Sequence, residues 1–290
     1  MKLPDHCEVY PAHGAGTFCG RSLSAKRTTT IGYERRFNPA LQIRDKMAFI
    51  HELTSNMPPS PDHFSRCSDI NRRGPALLSS LPPVTGIRPR TVKDLLAKGA
   101  YEILDTRRYD AFGSVHIPKS WNISNESNFP TFAGWVIPPD RDILLVVHSP
   151  EEISKIVSTL RKVGLDRISG YVEKGATGWA LAGNVVDHVH TISVHELDRM
   201  LHAGEELMVL DVRTAGEFAG YHIPGSVNIH WPDLRTRCVE LPADRQIAVI
   251  CGTGSRASIA CSILKRNGYS NISIVAGGYT GWIAGGLHQV

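Results

Sequence analysis

The chain has 290 residues, 42% of them hydrophobic, and a net charge of +4. This composition is typical of a globular protein with two or three domains, and the mild, scattered charge does not favour a nucleic-acid partner. No apolar run is long enough to span a membrane, and the first residues lack the apolar core of a signal peptide. We therefore expect a cytoplasmic protein with no membrane partner.

The cysteines are spread thinly along the chain and form no CxxC pair. In a chain of this size, that pattern favours reduced thiols in a cytoplasm over a disulfide framework, and it gives little support for a structural zinc site. We predict no metal and no cofactor. The six cysteines are at positions 7, 19, 67, 238, 251 and 261.

Residues 1–80 have no counterpart elsewhere in the chain. "CEVYPA" (7–12) predicts a short strand, "HGAGTFCG" (13–20) a glycine-rich turn, and "NPALQIRDKMAFIHEL" (38–53) a helical stretch. The Ser-, Pro- and Gly-rich stretch "LLSSLPPVTG" (77–86) is typical of a linker. These few elements can bury only a small hydrophobic core. We therefore interpret this segment as part of a domain and not a whole one.

The rest of the chain is a tandem duplication, which predicts two domains at residues 81–187 and 188–290. "YEILDTRRYDAFGSVHIPKSWNI" (101–123) matches "LMVLDVRTAGEFAGYHIPGSVNI" (207–229), and "GATGWALAG" (175–183) matches "GYTGWIAGG" (278–286). The shared positions pair Asp105 with Asp211, Arg107 with Arg213, His116 with His222 and Asn122 with Asn228. Because both copies carry these residues, we interpret them as structural.

Strands and helices alternate within each copy. In the second copy, Ser193 and Glu196 form a helix-start pattern, "QIAVIC" (246–251) is a buried strand by its continuous apolar run, and the helix that follows stops at Gly268. This alternation predicts an α/β fold with mainly parallel sheets flanked by helices.

The most informative motif is "CGTGSR" (251–256), between a buried strand and a helix. A helix start presents free backbone N–H groups and a partial positive charge, which favour an anion. Gly252 and Gly254 allow a tight backbone turn, and Arg256 adds a fork of donors that suits a sulfonate or carboxylate. These features favour the thiolate of Cys251, so we predict a nucleophile. The predicted catalytic residues are Cys251 and Arg256.

Two alternatives accompany this interpretation. A buried cysteine is often a small core hydrophobe, as we expect for Cys261. A cysteine phosphatase of related fold would place its arginine six residues after the cysteine, whereas Arg256 follows Cys251 by five. The shorter loop suits a single sulfur atom better than a tetrahedral phosphate.

The corresponding loop of the first copy, "VVHSPEEIS" (146–154), is one residue shorter and has lost this chemistry. His148 replaces the cysteine, and both glycines and the arginine are absent. Glu151 and Glu152 suit a helix start but repel an anionic donor. We therefore predict that the first copy is inactive.

The duplicated region resembles a tandem rhodanese (sulfurtransferase) protein. The residues that carry the resemblance are "LDVRTAGEFAGYHIPGSVNI", "CGTGSR" and "GGYTGW"; Tyr221 departs from the glycine that is common before His-Ile-Pro. The resemblance implies that Cys251 takes a sulfane sulfur from thiosulfate or a low-molecular-weight persulfide. The cysteine persulfide, held by the loop amides, then passes the sulfur to a thiol or cyanide. Arg256 would orient the anionic donor, and Gly252, Thr253, Gly254 and Ser255 would bind the substrate.

The N-terminal segment also resembles a known family. "LPDHCEVYPAHGAGTFCGRSLSAKRTTTIGYERRFNPAL" and "NRRGPALL" look like the C-terminal part of a metallo-β-lactamase-fold persulfide dioxygenase, an αββα domain that often precedes tandem rhodaneses. By resemblance His13 corresponds to a histidine of the second metal site, although it is also interpretable as an ordinary loop residue. No HxHxDH motif occurs in the sequence, so we expect the first half of that domain to be missing and no dioxygenase activity.

These observations predict a sulfurtransferase of sulfide metabolism that acts through Cys251, with a small-molecule sulfur donor and a thiol acceptor as partners. The alternative is an accessory or sulfur-carrying fragment of a persulfide dioxygenase without turnover of its own. If the unpaired surface of the N-terminal segment is exposed, self-association into a homo-oligomer is expected.

Overall fold

The structure, a computed structural model, describes residues 2–12, 26–55, 60–126 and 128–288. The chain divides into two compact units, residues 1–60 and 61–290. The predicted boundary after residue 80 therefore lies inside the second unit. The domain limits at 81–187 and 188–290 stay predictions.

In the first unit, a two-stranded antiparallel sheet is followed by short helices. Strand β1 (Glu8–Val9) lies within the predicted strand and pairs with β2 (Thr29–Thr30), which leads directly into α1 (Ile31–Phe37). The predicted helical stretch over 38–53 contains two helices and not one. The backbone is extended at Ile43, so the chain forms α2 (Pro39–Gln42) and then α3 (Lys46–Thr54), which has its own N-cap at Asp45. The predicted turn at 13–20 lies outside the described residues.

The second unit begins with a helix that the sequence analysis did not predict, α4 (His63–Arg73). Arg66 on this helix donates to the carbonyl oxygens of Val163 at 2.8 Å and Gly134 at 3.3 Å, both in the first copy. Residues 61–73 therefore pack with the duplicated region. A 3-10 turn at Leu78–Ser80 and irregular chain then cross the predicted linker.

The two copies contain corresponding elements in the same order. The first copy consists of β3 (Gly86–Ile87), α5 (Pro89–Ala97), β4 (Tyr101–Asp105), α6 (Tyr109–Ser114), β5 (Trp121–Asn122), α7 (Phe129–Val136), β6 (Asp142–Val146), α8 (Ile153–Arg161), β7 (Ile168–Val172) and α9 (Gly175–Leu181). The second consists of β8 (His190–Ile192), α10 (Val194–His202), β9 (Leu207–Asp211), α11 (Ala215–Gly220), β10 (Val227–Asn228), α12 (Leu234–Arg237), β11 (Gln246–Ile250), α13 (Ser255–Arg266), β12 (Ile272–Val275) and α14 (Gly278–Ala284).

Each copy forms a five-stranded sheet in which all the strand pairs are parallel. The strand orders are β3-β7-β6-β4-β5 and β8-β12-β11-β9-β10, so the two sheets have the same topology. The central strands β6 and β11 are apolar and buried because helices cover both faces of the sheet. The predicted α/β fold with two parallel-sheet domains is confirmed.

Helix α13 joins the two copies. The buried Ser258 hydroxyl donates to Oδ1 of Asn122 in the first copy. Farther along the helix, Lys265 Nζ lies 2.9 Å from Asp187, which precedes the second copy. The helix that follows the predicted active loop thus also contacts the first copy.

None of the helices in the described ranges is both long and apolar enough to cross a lipid bilayer.

Candidate active site in the second copy

The predicted nucleophile lies where the central strand of the second sheet ends. Strand β11 stops at Ile250, the loop runs from Cys251 to Gly254, and α13 begins at Ser255. Ligands of parallel α/β sheets bind at this carboxyl edge, where loops from several strands meet. Gly254 has a φ of +112°, a backbone conformation that residues with a side chain rarely adopt.

The thiol of Cys251 is surrounded by backbone donors. Its Sγ atom lies 3.2 Å from the amide nitrogen of Gly254 and 3.3 Å from that of Ala257, and both N–H groups donate to it. The residue is 1% exposed. The loop therefore holds the sulfur in an acceptor role, with its donors fixed by the start of α13.

Helix α14 supports the loop from behind. The amides of Tyr279 and Thr280 donate to the carbonyl oxygens of Cys251 and Gly252 at 2.8 and 2.9 Å. Gly278 allows this approach, because a Cβ atom on it would lie 2.1 Å from the Cys251 oxygen. Residues 278–280 of the "GGYTGW" motif thus support the "CGTGSR" loop.

Arg256 is bound by a carboxylate that the sequence analysis did not select. Its Nη1 and Nη2 atoms lie 2.7 and 2.8 Å from the two carboxylate oxygens of Glu217. Glu217 also accepts from the backbone N–H and hydroxyl of Thr214, in a capping box that starts α11. The fork of donors on Arg256 is therefore engaged within the protein.

The ion pair shifts the titration of both partners. Hydrogen bonds from Arg256 are the main reason that the pKa of Glu217 falls to about 2, and bonds from Thr214 lower it further against the opposing effect of burial. Burial lowers the pKa of Arg256, but its hydrogen bonds to Glu217 and the charges of Cys251 and Glu217 outweigh this, so its pKa is raised. Both groups are charged at neutral pH.

A sequence signal for Glu217 was present. Thr214 and Glu217 form the T-x-x-E pattern of a capping box, and the first copy has Ala111 at the position of Glu217. Glu217 and Arg256 are thus both confined to the copy with the cysteine.

The remaining predicted site residues lie on the loop surface. Thr253 is exposed, whereas Gly252 and Ser255 are half-buried. Among the described residues, the hydroxyls of Thr253 and Ser255 have no hydrogen-bond partner. Tyr109 of the first copy lies against this loop: its ring is so close that a Cβ atom on Gly254 would be 2.8 Å from it. Tyr109 was also missed by the sequence analysis, since its contact crosses between copies.

The residues shared by both copies form an ion pair and strand-end hydrogen bonds. Asp211 binds Arg213 through hydrogen bonds of 2.7 to 3.1 Å, and both are buried. Asn228 Nδ2 donates to the carbonyl oxygens of Asp211 and Arg213 at 2.9 and 3.0 Å. The same contacts recur in the first copy, between Asp105, Arg107 and Asn122.

In the first copy, His148 follows β6 in the position of Cys251, and it is exposed. Cys261, expected to be a core residue, is fully buried, and burial raises the pKa of its thiol strongly. His13 lies outside the described residues. Within the described ranges, no three His, Cys, Asp or Glu side chains are arranged to hold a metal ion.

Comparison with known proteins places both copies in one family. The model of the rhodanese-like domain matches residues 88–182 and 193–285. A sulfurtransferase of Allochromatium vinosum is 30% identical over 99 residues, which cover 34% of this chain and 92% of that protein. The putative sulfurtransferase YtwF of Bacillus subtilis is 32% identical over 94 residues, 32% of this chain and 90% of that protein. The putative sulfur carrier protein YrkF of Bacillus subtilis is 32% identical over 31% of this chain. The match covers about half of that protein, 49% of its length.

Solved structures give similar matches. A rhodanese-related protein from Thermoplasma volcanium is 34% identical, with a TM-score of 0.33 over 35% of this chain and 97% of that one. A metallo-beta-lactamase from Staphylococcus aureus is 32% identical, with a TM-score of 0.47 over 59% of this chain and 46% of that one.

Proposed function

This chain belongs to the rhodanese-like domain family, and we propose that it is a sulfurtransferase whose second copy carries the transferred sulfur on Cys251. The observation that carries the proposal is the cradle around the thiol. Sγ of Cys251 accepts hydrogen bonds from the backbone N–H groups of Gly254 and Ala257, at the carboxyl edge of the sheet. The names of the matched sulfurtransferases from Allochromatium vinosum and Bacillus subtilis also support it.

The reaction has two steps. The Cys251 thiolate attacks the outer sulfur of thiosulfate, the sulfur–sulfur bond of thiosulfate breaks, and sulfite leaves with the bonding electron pair. A low-molecular-weight persulfide would react in the same way and release its thiolate. An acceptor thiolate or cyanide then attacks the outer sulfur of the Cys251 persulfide, which regenerates the cysteine thiolate and yields a new persulfide or thiocyanate.

The backbone N–H groups of the loop are proposed to be the main donors to the bound sulfur. They are fixed before the reaction, so they stabilise negative charge without reorganising. The positive charge of Arg256 is neutralised by Glu217. We therefore propose that Arg256 orders the loop, and that it attracts an anionic donor only as part of this ion pair.

For residues 1–80, the sequence supports a relation to the C-terminal part of a metallo-β-lactamase-fold persulfide dioxygenase. Such a relation is consistent with a persulfide as the sulfur donor. The cysteine chemistry proposed for the second copy does not depend on it.

A sulfur-transfer assay tests the proposal. The wild type and Cys251→Ser are compared with thiosulfate and cyanide, and with a low-molecular-weight persulfide and a thiol. We expect repeated turnover by the wild type and a loss of at least about 1,000-fold in Cys251→Ser. Equal rates in the two proteins would refute the role of Cys251.

The same assay separates the alternatives. One sulfur transferred per chain without further turnover would identify a sulfur carrier. Hydrolysis of a phosphate ester faster than sulfur transfer would identify a phosphatase.

A further inference from the structure

The two copies differ in what covers the shared arginine at the end of the sheet. In the second copy, the buried ring of Tyr279 lies 3.5 Å from the guanidinium carbon of Arg213, measured to the ring centre. The Tyr279 hydroxyl accepts the N–H of Ile223 at 3.0 Å. As a result, the side chain of Arg213 is only 1% exposed.

In the first copy, the position of Tyr279 is occupied by Ala176, and a cavity of about 290 Å³ lies beside Arg107. Nε and Nη2 of Arg107 bind Asp105, and Nη2 also donates to the carbonyl oxygen of Val115. Its Nη1 makes no hydrogen bond to any described residue. The side chain is nine-tenths buried, with 10% exposed. Nη1 of Arg107 is solvent-accessible, whereas its counterpart Nη1 of Arg213, also without a partner, is buried, so only the first copy leaves this donor open to a ligand.

The other polar groups around this cavity, which we call the Arg107 cavity, also suit an anion. Lys174, Thr177 and His148 line it, and no Asp or Glu does. Because Asp105 balances the charge of Arg107, the net positive charge comes from Lys174. Lys174 has a φ of +58°, a left-handed conformation that is costly for lysine, whereas the second copy has Gly277 there.

We propose that the Arg107 cavity is a binding site for a small oxyanion, either a carboxylate or a sulfur oxyanion. Nη1 of Arg107 would donate to the ligand, and Lys174 would supply the charge. This site is separate from Cys251 and does not rest on the function proposed for the second copy.

A neighbouring cavity distinguishes two sources of the oxyanion. It has a volume of about 550 Å³, shares Arg107 and His148 with the first, and is lined by acidic side chains and by Arg108, which pairs with two of them, Asp110 and Glu126. An amino-acid-type thiol would place its carboxylate beside Arg107 and its ammonium group near Glu152, the acid that Arg108 does not pair with. An inorganic sulfur oxyanion would use the Arg107 cavity alone. The acidic residues are Asp110, Glu126 and Glu152.

The test is a titration of the full-length chain, followed by the backbone amide resonances of Gly175 and Thr177. The probes are sulfite, thiosulfate, acetate and glutathione at constant ionic strength, with chloride as the control. Two variants block the site: Lys174→Gly removes the charge, and Ala176→Tyr introduces the residue of the second copy. Amide resonances of residues 251–256 report the other site in the same samples.

We expect saturable shifts at Gly175 and Thr177 in the wild type and at least tenfold weaker binding in both variants. Thermal unfolding checks that both variants are folded. Lys174→Gly should raise Tm by about 2–4 °C, because glycine adopts the left-handed backbone conformation without the strain that lysine has there. Glutathione binding more tightly than acetate would identify an amino-acid-type ligand; sulfite or thiosulfate binding most tightly would identify an inorganic one. Absence of saturable shifts in the wild type, or equal affinities in wild type and Lys174→Gly, would overturn the proposal.

Discussion

The carboxylate of Glu217 binds the guanidinium of Arg256 through two hydrogen bonds of 2.7 and 2.8 Å. This pair connects α11 to the first turn of α13, next to the loop that holds Cys251. Neither partner has a counterpart in the first copy. We therefore propose that the pair serves the chemistry of the second copy.

We predict that Glu217→Gln lowers kcat/KM for sulfur transfer by about tenfold, because Arg256 loses the partner that fixes its position beside the loop. Steady-state kinetics with thiosulfate measure the effect. Glu196→Gln is the matched control, since Glu196 occupies the corresponding position in the first turn of α10. If both variants lose the same activity, the effect is due to the loss of a first-turn negative charge and not to Arg256.

The Glu217 carboxylate also makes stability depend on pH. Its pKa is about 2 in the folded protein, below the ordinary value of 4.5, so the unfolded chain takes up a proton first as the pH falls. The stabilisation is fully present above pH 4.5 and is lost as the pH falls towards 2. The free energies of unfolding of wild type and Glu217→Gln, measured across this range, should converge. A difference that stays constant down to pH 2 would contradict the assignment.

Gly278→Ala tests the support behind the loop. The added Cβ would lie 2.1 Å from the Cys251 oxygen, at a φ of +52°. We predict a loss of about 2–4 kcal/mol in unfolding free energy and a loss of sulfur transfer. Gly286→Ala has a similar φ, +66°, with no atom within 4 Å of the new Cβ. That control should cost only about 1 kcal/mol and retain activity; equal effects in chemical denaturation would refute the steric argument.

The contact between the copies is tested by Ser258→Ala. This change leaves Oδ1 of Asn122 buried without its donor and should cost about 1–3 kcal/mol. Ser262→Ala on the same helix is the control, because the Ser262 hydroxyl binds only the carbonyl oxygen of Ile259. Chemical denaturation should show the larger loss in Ser258→Ala. The opposite order would mean that the cross-copy hydrogen bond does not stabilise the pair.

The first copy should not become active when only its cysteine is restored. His148→Cys in the Cys251→Ser background would lack both glycines, the arginine and a counterpart of Glu217. We predict no sulfur transfer above that of Cys251→Ser alone. Recovery of activity would show that a cysteine at the end of this strand is sufficient.

Much of the fold could be predicted from the sequence because the chain repeats itself. Positions shared by both copies, such as Asp211 and Arg213, are candidates for a structural role, and positions found only in the second, such as Cys251, are candidates for chemistry. The break between α2 and α3 was missed because the helical pattern hid the extended backbone at Ile43.

Contacts between distant residues were harder to predict. Glu217 lies 39 residues before Arg256, and Tyr109 reaches Gly254 from the other copy. No local pattern reports such pairs. The Arg107 cavity was missed for the same reason. Tyr279 covers Arg213 in the second copy, and only the structure shows that the smaller Ala176 leaves a cavity beside Arg107 in the first.

The central claim is that Cys251 carries the transferred sulfur. Its most direct test is intact-protein and peptide mass spectrometry after treatment with thiosulfate in the absence of an acceptor, and again after adding cyanide. We predict one added sulfur atom per chain, located on Cys251 and removed as thiocyanate by cyanide. Sulfur found on another cysteine, or on Cys251 but resistant to cyanide, would contradict the claim.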